Sequence, residues 1–389
     1  MSLNNLLIIF DNILFAYLGF SVLYLFIFAV FSRFKRSDQY PSAKKLHRFV
    51  VLFPAYKEDR VIESSVKAFL QQNYPKGHYE IIVISDQMSE ETNLRLSNLP
   101  LSLLKVDFEN SSKAKALNFA IDFLKAASYD AVVILDADNI VEPDFLEQIN
   151  RAYDAGAMAI QAHRRGKNFN TDIAVLDAAS EEMNNAYFRK GHVFLGLSSA
   201  LSGSGMAFDY TWFRENIRKI STAGEDKELE ILLLKQRIYI EYLDEVIVYD
   251  EKIQSASAFY RQRQRWLAAQ FGSLKMALRD LPYALYTNNI DYADKLLQWI
   301  MLPRLLLLGF IFLLTIILSI THFESALKWW VIFLLIIVTM AVAIPRDLDN
   351  KALEKAIRKI PMLFFLMFLN LFRLKGVNRR FIHTHHSEN

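Results

Sequence analysis

The chain has 389 residues, a formal net charge of +3 and no cysteine, which excludes disulfides, thiolate metal sites and cysteine nucleophiles. Its hydrophobic fraction of 53% is high for a soluble protein with a charged fraction of 22%, and its mean hydropathy is +0.14. The apolar runs lie toward the two ends, so we expect membrane segments around a soluble middle.

The first predicted element is a membrane-spanning helix. Residues 13–32 contain no charged residue, and Arg33, Lys35 and Arg36 follow directly. A membrane helix needs about 20 apolar residues, whereas a signal peptide carries its positive charge before the apolar run. Basic residues stay on the cytoplasmic side. We therefore expect residues 1–36 to form a retained helix with its N-terminus outside, followed by a linker at 37–48.

The middle of the chain, residues 49–250, is predicted to be an α/β domain. Apolar runs predict strands at 49–53, 81–84, 131–135 and 158–160, and helical patterns lie at 59–72, 113–124 and 143–153. Continuous apolar strands separated by helices are typical of a mostly parallel sheet that is covered on both faces. Ligands bind at the carboxyl ends of such strands, so the residues that follow each strand are candidates for chemistry.

Acidic residues follow three of the predicted strands. Glu58 and Asp86 follow the first two, and Asp136 and Asp138 follow the strand at 131–135. A single Asp at such a place is often a helix cap or a turn residue. That explanation is weaker for acidic residues at the ends of three strands together. Two carboxylates at the end of a buried strand repel each other unless a cation joins them. Because Mg²⁺ prefers carboxylate and phosphate oxygens, the pair is predicted to hold a metal and a diphosphate.

Three further patterns give weaker signals. The small-residue run at 201–208 allows a ligand to approach the backbone, although a plain loop is favoured. Residues 224–226 precede a helix predicted to start near Lys227, and on the residues alone Asp226 is a candidate helix cap. A second Asp-x-Asp pair, at 347 and 349, has no strand before it and is predicted to be solvated surface.

The segment 251–295 is predicted to form helices at the membrane surface. Within it, Gln262, Arg265 and Trp266 lie on one face if the chain is helical. Arg binds phosphate oxygens bidentately, and Trp offers a flat apolar face to a sugar ring. The alternative is a cationic amphipathic helix on the membrane, since Arg261 and Arg263 are also basic. The two interpretations are compatible on different faces of the helix.

Two apolar regions, 296–320 and 329–344, are predicted to form a membrane helical hairpin spanning 296–345. Their inner flanks are more basic than the outer turn, which places the middle domain and the C-terminal tail in the cytosol. Arg304 interrupts the first region and is interpreted as a residue that snorkels to the interface. The alternative is a residue that lines a path for a polar substrate.

The last segment, 346–389, is predicted to contain an interfacial helix and a basic cytosolic tail. Its apolar run at 361–372 is too short to span a membrane easily and has basic residues on both sides. An amphipathic helix lying in the inner membrane surface fits that pattern. A buried core helix of the soluble domain is the alternative.

Taken in order, the motifs resemble those of the membrane-bound branch of glycosyltransferase family 2. That branch includes cellulose, chitin, hyaluronan and poly-N-acetylglucosamine synthases and ceramide glucosyltransferases. The resemblance covers residues 49–270 by motif. It rests on Pro54-Ala55-Tyr56-Lys57-Glu58, Asp86, Lys113 before Ala116-Leu117-Asn118, Asp136-x-Asp138, Glu225-Asp226 and Gln262-x-x-Arg265-Trp266. It implies a GT-A fold, inverting transfer from a UDP-sugar, and Mg²⁺ or Mn²⁺ as cofactor.

The resemblance also implies a role for each motif residue. Uridine would be held by Ala55, Tyr56, Glu58 and Asp86, and the nucleotide would be approached by Lys113. The sugar nucleotide and metal would be bound by Asp136 and Asp138, with Asp138 the stronger ligand candidate. Asp226 would be the general base, and the diphosphate and acceptor would be clamped by Gln262, Arg265 and Trp266. The tail at 381–386 also resembles tails of bacterial members.

The expected partners are a UDP-sugar donor, a lipid or polysaccharide acceptor and membrane lipids, with no nucleic acid. The expected location is the inner (plasma) membrane, as a multi-pass protein. A polymer channel built by this chain alone is not favoured, because 267–294 shows no gating motif. The alternatives are a single-sugar glycolipid synthase and a processive polysaccharide synthase that works with accessory secretion subunits.

Two alternatives lie outside this class. A nucleotidyltransferase would favour a Gly-rich basic loop after the first strand, where Pro54-Ala55-Tyr56 stands instead. A transporter or non-catalytic membrane scaffold would leave the carboxylates of the soluble domain unexplained.

Overall fold

The computed structural model of the protein describes residues 3–36, 40–124, 129–220, 222, 224–346, 348 and 350–373. The second Asp-x-Asp pair, at 347 and 349, and the tail at 381–386 lie outside these residues.

Among the described residues, a mixed sheet of eight strands forms the middle of the molecule, in the order β3-β2-β1-β4-β7-β6-β8-β5. The strands are β1 (Phe49–Tyr56), β2 (Tyr79–Asp86), β3 (Ser102–Val106), β4 (Ala131–Ile134), β5 (Ile140–Val141), β6 (Ala159–Gly166), β7 (Met206–Asp209) and β8 (Ile240–Asp250). Strands β1 to β4 pair in parallel, whereas β7 runs antiparallel to both of its neighbours. The prediction of an α/β fold with a mostly parallel sheet is confirmed.

The helices alternate with the strands and then continue alone toward the C-terminus. They are α1 (Leu3–Phe31), α2 (Ile62–Phe69), α3 (Glu90–Ser97), α4 (Lys113–Leu124), α5 (Phe145–Asp154), α6 (Asp172–Asn185), α7 (Gly191–Phe194), α8 (Tyr210–Asn216), α9 (Glu225–Lys235), α10 (Ala256–Ala277), α11 (Leu281–Tyr286), α12 (Ile290–Ile300), α13 (Arg304–Thr321), α14 (Phe323–Ala343), α15 (Asn350–Ala356) and α16 (Ile360–Asn370).

Strands β1 and β4 are apolar throughout because both faces of the sheet are covered there. In β1, Val50 and Leu52 belong to one core cluster, with residues of α4, whereas Val51 and Phe53 belong to another, with residues of α2 and α5. Successive side chains of a strand point to opposite faces, so burial on both faces requires a run without alternation. The premise of the strand prediction, that an unbroken apolar run marks a strand covered on both faces, is therefore correct.

The small-residue run at 201–208 differs from the expected plain loop. Its second half forms β7, which pairs with both β4 and β6. A Cβ on Gly205 would lie 2.9 Å from Val248 Cγ2, and the backbone there has a φ of +64°. Glycine is required where β7 begins, since any side chain would collide with β8.

Three helices are long and apolar enough to cross a membrane, at 5–31, 304–321 and 323–343 of the described chain. Helix α14 packs against both α1 and α13. The apolar region that begins at residue 296 is divided: its first residues end α12, and α13 begins after Pro303. A proline lacks the backbone N–H and disfavours helical geometry in the residue before it, so one continuous helix cannot form.

The interpretation of Arg304 as a snorkelling residue is wrong. Its guanidinium turns toward the protein, where Nη2 donates to the carbonyl oxygen of Ser180 at 2.9 Å. It also lies 5.1 Å from the centre of the Tyr187 ring. Helix α6 supplies Ser180, and the turn after it supplies Tyr187.

The short helix α16 packs on α10 and α13 and is absent from the candidate spans of the described chain. Phe364 and Phe368 both contact the ring of Phe310 edge-on, while Phe365 is 58% exposed. One side therefore faces protein and the other is open. The open side carries the apolar residues Met362 and Phe365, so α16 lacks the polar face of an amphipathic helix, and its place at the membrane surface stays a prediction.

Candidate active site

A cavity of about 1140 Å³ lies at the carboxyl ends of β1, β2 and β4, between the sheet and α10. Its lining includes every residue for which the sequence predicted a role. These residues are Ala55, Tyr56, Glu58, Asp86, Lys113, Asp136, Asp138, Asp226, Gln262, Arg265 and Trp266. The tertiary structure thus collects side chains that are up to about two hundred positions apart in sequence, as the rule for strand carboxyl ends requires.

The ends of β1 and β2 form one wall. Asp86, the last residue of β2, is 3% exposed and accepts a hydrogen bond from the Phe108 backbone at 3.3 Å. Burial raises the pKa of its carboxyl above the ordinary value. Lys57 and Gln87, which directly follow the two strands, both have positive φ angles. Such angles are uncommon outside glycine, and here the chain turns sharply away from the sheet and leaves the strand ends open.

The turn after β4 holds Asp136 and Asp138 in a fixed network. The Asp136 backbone N–H donates to the Ser204 hydroxyl at 2.9 Å and to Asn139 Oδ1 at 3.0 Å. Asp138 is 6% exposed, and its Oδ2 accepts from the Glu251 backbone at 2.8 Å. The backbone of the turn and the carboxylate of Asp138 are thus held in place by neighbouring segments.

Lys113, the first residue of α4, connects three parts of the site. Its ammonium binds the Asp136 carboxylate, donates to the Gly203 carbonyl at 2.6 Å and lies 3.7 Å from Glu225. Burial opposes the charge, but the two carboxylates outweigh it and raise the pKa of Lys113. The loop at 201–205, for which a plain loop was favoured, therefore contributes a carbonyl to the cavity.

Asp226 lies in the first turn of α9, which begins at Glu225 rather than near Lys227. A Cβ on Gly203 would lie 3.9 Å from Asp226 Oδ2, so the loop at 201–205 lies beside this carboxylate. Glu225 beside it is 7% exposed, and burial raises its pKa to about 7. The family resemblance implied a role for Asp226 alone, although Glu225 belongs to the same motif.

Helix α10 forms the opposite wall. The expectation of a helix here is correct, and Gln262, Arg265 and Trp266 lie together on its cavity face. Burial lowers the pKa of Arg265, while the charges of Glu225 and Asp226, together with that of Asp136, favour its cationic form. This guanidinium therefore lies near the carboxylates of both the β4 turn and α9.

A buried charge network in the wall of the cavity was not predicted from the sequence. Arg164 of β6 donates to Asp250 of β8 at 2.5 Å, and Lys252 reaches the same carboxylate at 2.8 Å. Glu181 pairs with Arg189 at 2.8 Å. All of them line the cavity. Asp250 is the last residue of β8, as Asp86 is of β2. A prediction of β8 from the sequence would therefore have marked Asp250 as a candidate site residue.

Comparison with known proteins identifies the family. Residues 47–269 match the family described as Glycosyltransferase like family 2. The protein belongs to this family.

Two relatives and one solved structure illustrate the likeness. This glycosyltransferase is 26% identical over 289 residues to poly-beta-1,6-N-acetyl-D-glucosamine synthase of Staphylococcus aureus, covering 70% of this chain and 67% of the relative. It is 24% identical over 271 residues to the probable glycosyltransferase YdaM of Bacillus subtilis, covering 63% of each. The mannosyltransferase of Pyrobaculum calidifontis, solved with GDP-Man and Mn²⁺, matches with a TM-score of 0.57 at 16% identity, covering 94% of this chain and 98% of that one.

These matches support two of the predictions from sequence. The glycosyltransferase has the GT-A fold, since the similarity to the mannosyltransferase extends over nearly the whole of both chains. It is a hexosyltransferase of family 2, as the order of motifs indicated.

The donor set at the β4 turn suits a hard divalent cation. The carboxylates of Asp136 and Asp138 line the cavity, where Lys113 binds the first and the Glu251 backbone donates to one oxygen of the second. No group of three or more acidic or histidine side chains suited to a metal occurs among the described residues. Mg²⁺ is usually held by one or two carboxylates together with substrate phosphates. The residues of this glycosyltransferase therefore fit a metal that is completed by a diphosphate.

Proposed function

We propose that this glycosyltransferase moves a sugar from a UDP-sugar to an acceptor at the inner surface of the plasma membrane, with inversion at the anomeric carbon. The observation that carries the proposal is the convergence of Asp136, Asp138, Asp226 and Arg265 on one cavity. The relative named as an N-acetylglucosamine polymer synthase makes UDP-N-acetylglucosamine the first donor to test.

In this proposal the donor lies across the strand ends. Ala55, Tyr56, Glu58 and Asp86 hold the uridine, and Lys113 approaches the nucleotide. The sugar and diphosphate lie beside the β4 turn, where Asp136 and Asp138 would hold Mg²⁺ or Mn²⁺. When bound, that cation neutralises charge on the diphosphate.

The chemistry requires a base for the acceptor. Asp226 accepts the proton of the acceptor hydroxyl, whose oxygen then attacks the anomeric carbon as the bond from that carbon to UDP breaks. Arg265 binds oxygens of the departing diphosphate, and Gln262 and Trp266 position the sugar and acceptor. A single displacement of this kind, without a carboxylate nucleophile, inverts the configuration.

The membrane placement rests on the candidate spans and their flanking charges. The span at 5–31 is followed by Arg33, Lys35 and Arg36, and the basic flanks of the hairpin lie on the same side. By the preference of basic residues for the cytoplasm, we place the domain at 49–250 in the cytosol and the surface helices of 251–295 against the inner leaflet. The protein is then multi-pass.

Asp226→Asn tests the assignment of the base. We expect release of UDP from UDP-N-acetylglucosamine, with Mn²⁺ present, to fall by about 100-fold or more, since the amide accepts no proton. Binding of UDP, measured by calorimetry, should stay unchanged. Glu215→Gln, which changes an exposed acid outside the cavity, serves as the matched control and should keep full turnover.

Other outcomes of this experiment point elsewhere. Normal turnover by the Asp226→Asn protein excludes this residue as base. Release of pyrophosphate instead of UDP indicates a nucleotidyltransferase. Absence of any nucleotide-sugar binding to the unaltered protein favours a scaffold.

A further inference from the structure

The cavity has a second compartment that a nucleotide sugar does not explain. Beyond α10 it continues between α6, α13, α14 and α16, where its walls are apolar. Leu308, Met340, Leu363 and Met367 are among the residues of this compartment. Two lining residues on α14, Ile337 and Ala341, are exposed on the surface of a candidate membrane span. The compartment therefore extends to the surface at which lipid chains would lie.

Arg304 lies where the polar and apolar parts meet. It is the first residue of α13, and its Nη2 donates to the carbonyl oxygen and hydroxyl of Ser180 at 2.9 and 3.1 Å. Its Nη1 is shielded from solvent and has no hydrogen-bond partner among the described residues. A hydrogen-bond donor that is shielded from solvent and has no acceptor is unfavourable on a charged group. Nη1 is therefore available to donate a hydrogen bond to a ligand.

The neighbouring cations are already neutralised. Arg263 binds Asp177 at 2.5 Å, and Arg189 binds Glu181 at 2.8 Å. Arg304, by contrast, has no carboxylate within salt-bridge distance in the described part of the chain, although it lines the same cavity. A guanidinium with free N–H groups favours a phosphate, which it can bind through two oxygens. The charge at this position is thus complementary to an anion.

Helix α10 connects this position to the catalytic carboxylates. Arg265 lies near Glu225 and Asp226, whereas Arg263 lies beneath the Trp266 ring, 4.1 Å from its centre, and close to Arg304. Polar groups for a head group, an anion-binding cation and an apolar compartment therefore follow each other along one continuous cavity.

We propose that the acceptor is an anionic phospholipid with a hydroxyl in its head group. This inference rests on the proposed function and names its acceptor. The lipid phosphate binds Arg304, the chains lie in the compartment lined by α13, α14 and α16, and the hydroxyl points toward Asp226. The hydroxyl oxygen bonds to the anomeric carbon, the bond to UDP breaks, and the proton passes to Asp226. The end of a soluble polysaccharide would use neither the buried guanidinium nor the apolar walls.

Lipid retention by the purified full chain tests the phosphate contact. The protein is equilibrated with equal amounts of phosphatidylglycerol and phosphatidylcholine in detergent and analysed by native mass spectrometry. We expect the unaltered protein to retain phosphatidylglycerol preferentially, and Arg304→Met to reduce that preference by about tenfold or more, as expected for loss of a charged hydrogen bond. Arg304→Lys should keep part of the preference, and Arg358→Gln, at an exposed cation outside the cavity, should keep all of it.

A second variant tests the compartment for the chains. Ala341→Trp fills it and should reduce retention of both phospholipids, whereas Val338→Trp adds the same bulk at an exposed position of α14 that does not line the cavity, and should change nothing. Glycerol 3-phosphate, which has the phosphate without chains, should not displace the lipid at equal concentration. Displacement by it would overturn the inference in favour of a soluble phosphate ligand.

Binding of UDP to the same proteins separates this inference from the proposed function. If the unaltered protein binds UDP but shows no preference for phosphatidylglycerol, or if Arg304→Met retains it normally, the lipid inference fails alone. If no nucleotide binds, the proposed function fails whichever lipid is retained. Equal UDP affinity in all variants shows that each of them is folded.

Discussion

At the scale of single residues, the site depends on a few buried charges that restrain one another. Lys113 sits between Asp136 and Glu225, so the β4 turn and the start of α9 share one cation. Buried charges are costly unless paired. The pairing explains why two acidic motifs that are far apart in sequence can lie side by side in the absence of substrate.

Glu225 should make the stability of the protein depend on pH. Its pKa is about 7 in the folded protein against an ordinary 4.5, so the folded state binds this proton more tightly than the unfolded state. The resulting stabilisation is complete below pH 4.5 and is lost as the pH rises through 7. Glu225→Gln removes this dependence. Its stability relative to the unaltered protein should therefore rise by about 1–3 kcal/mol between about pH 5 and pH 8.

The melting temperature of both proteins in detergent at the two pH values measures this effect. Glu215→Gln, at an exposed acid, is the control and should follow the unaltered protein throughout. A Glu225→Gln protein with the same pH profile as the unaltered protein would show that the carboxyl is already ionised in the fold.

At the scale of elements, the polar side chains of α10 enter three different surroundings. Gln262 and Arg265 face the cavity, Arg263 is buried against Asp177, and Arg261 is exposed. The run of basic residues that suggested a membrane-surface helix is therefore divided among three surroundings. Only the position of each side chain around the helix decides which one it enters.

This division predicts opposite results for two similar substitutions on α10. Arg265→Gln should lower turnover of the donor by about tenfold to a hundredfold, because it removes charged hydrogen bonds to the diphosphate. Arg261→Gln should leave turnover unchanged. Steady-state release of UDP measures both, and a loss of equal size in the two variants would mean that net charge, rather than position, matters.

At the scale of the whole molecule, a buried polar cluster ties the first candidate span to the catalytic domain. Tyr24 of α1 donates to Asp294 of α12 at 2.6 Å, and His192 of α7 lies 3.1 Å from the same carboxylate. The imidazole also stacks on Phe28, with 3.7 Å between ring centres. Helix α1 is thus a packed part of the protein as well as a candidate membrane segment.

Tyr24→Phe should destabilise the protein by about 1–3 kcal/mol, because it leaves an oxygen of the partly buried Asp294 carboxylate without its donor. Thermal unfolding in detergent measures the change. Tyr286→Phe removes the hydroxyl of a residue that is 88% exposed and should leave the melting temperature as it is. Equal melting of the Tyr24→Phe protein and the unaltered protein would mean that α1 docks through apolar contacts alone.

The strands that were predicted from the sequence are those whose burial produces a run of apolar residues. Strands β1 and β4 are apolar throughout and β2 is apolar from Ile81 to Ile84, because these stretches are covered on both faces. Strand β8 was missed: charged Glu241, Asp244 and Glu245 interrupt it, and their neutralisation by distant residues such as Arg36 and Lys190 has no local signature. Strand β7 was missed because it is short and follows glycines.

By itself, the sequence determined the α/β fold, the candidate spans and the acidic residues at the strand ends, since each follows from the spacing of residues close together in the chain. Only the tertiary structure decided which charges meet. The orientation of Arg304 toward Ser180, the sharing of Lys113 by two carboxylates and the network around Asp250 depend on contacts between distant segments. Such contacts form when the sheet and helices pack, and no local pattern specifies them.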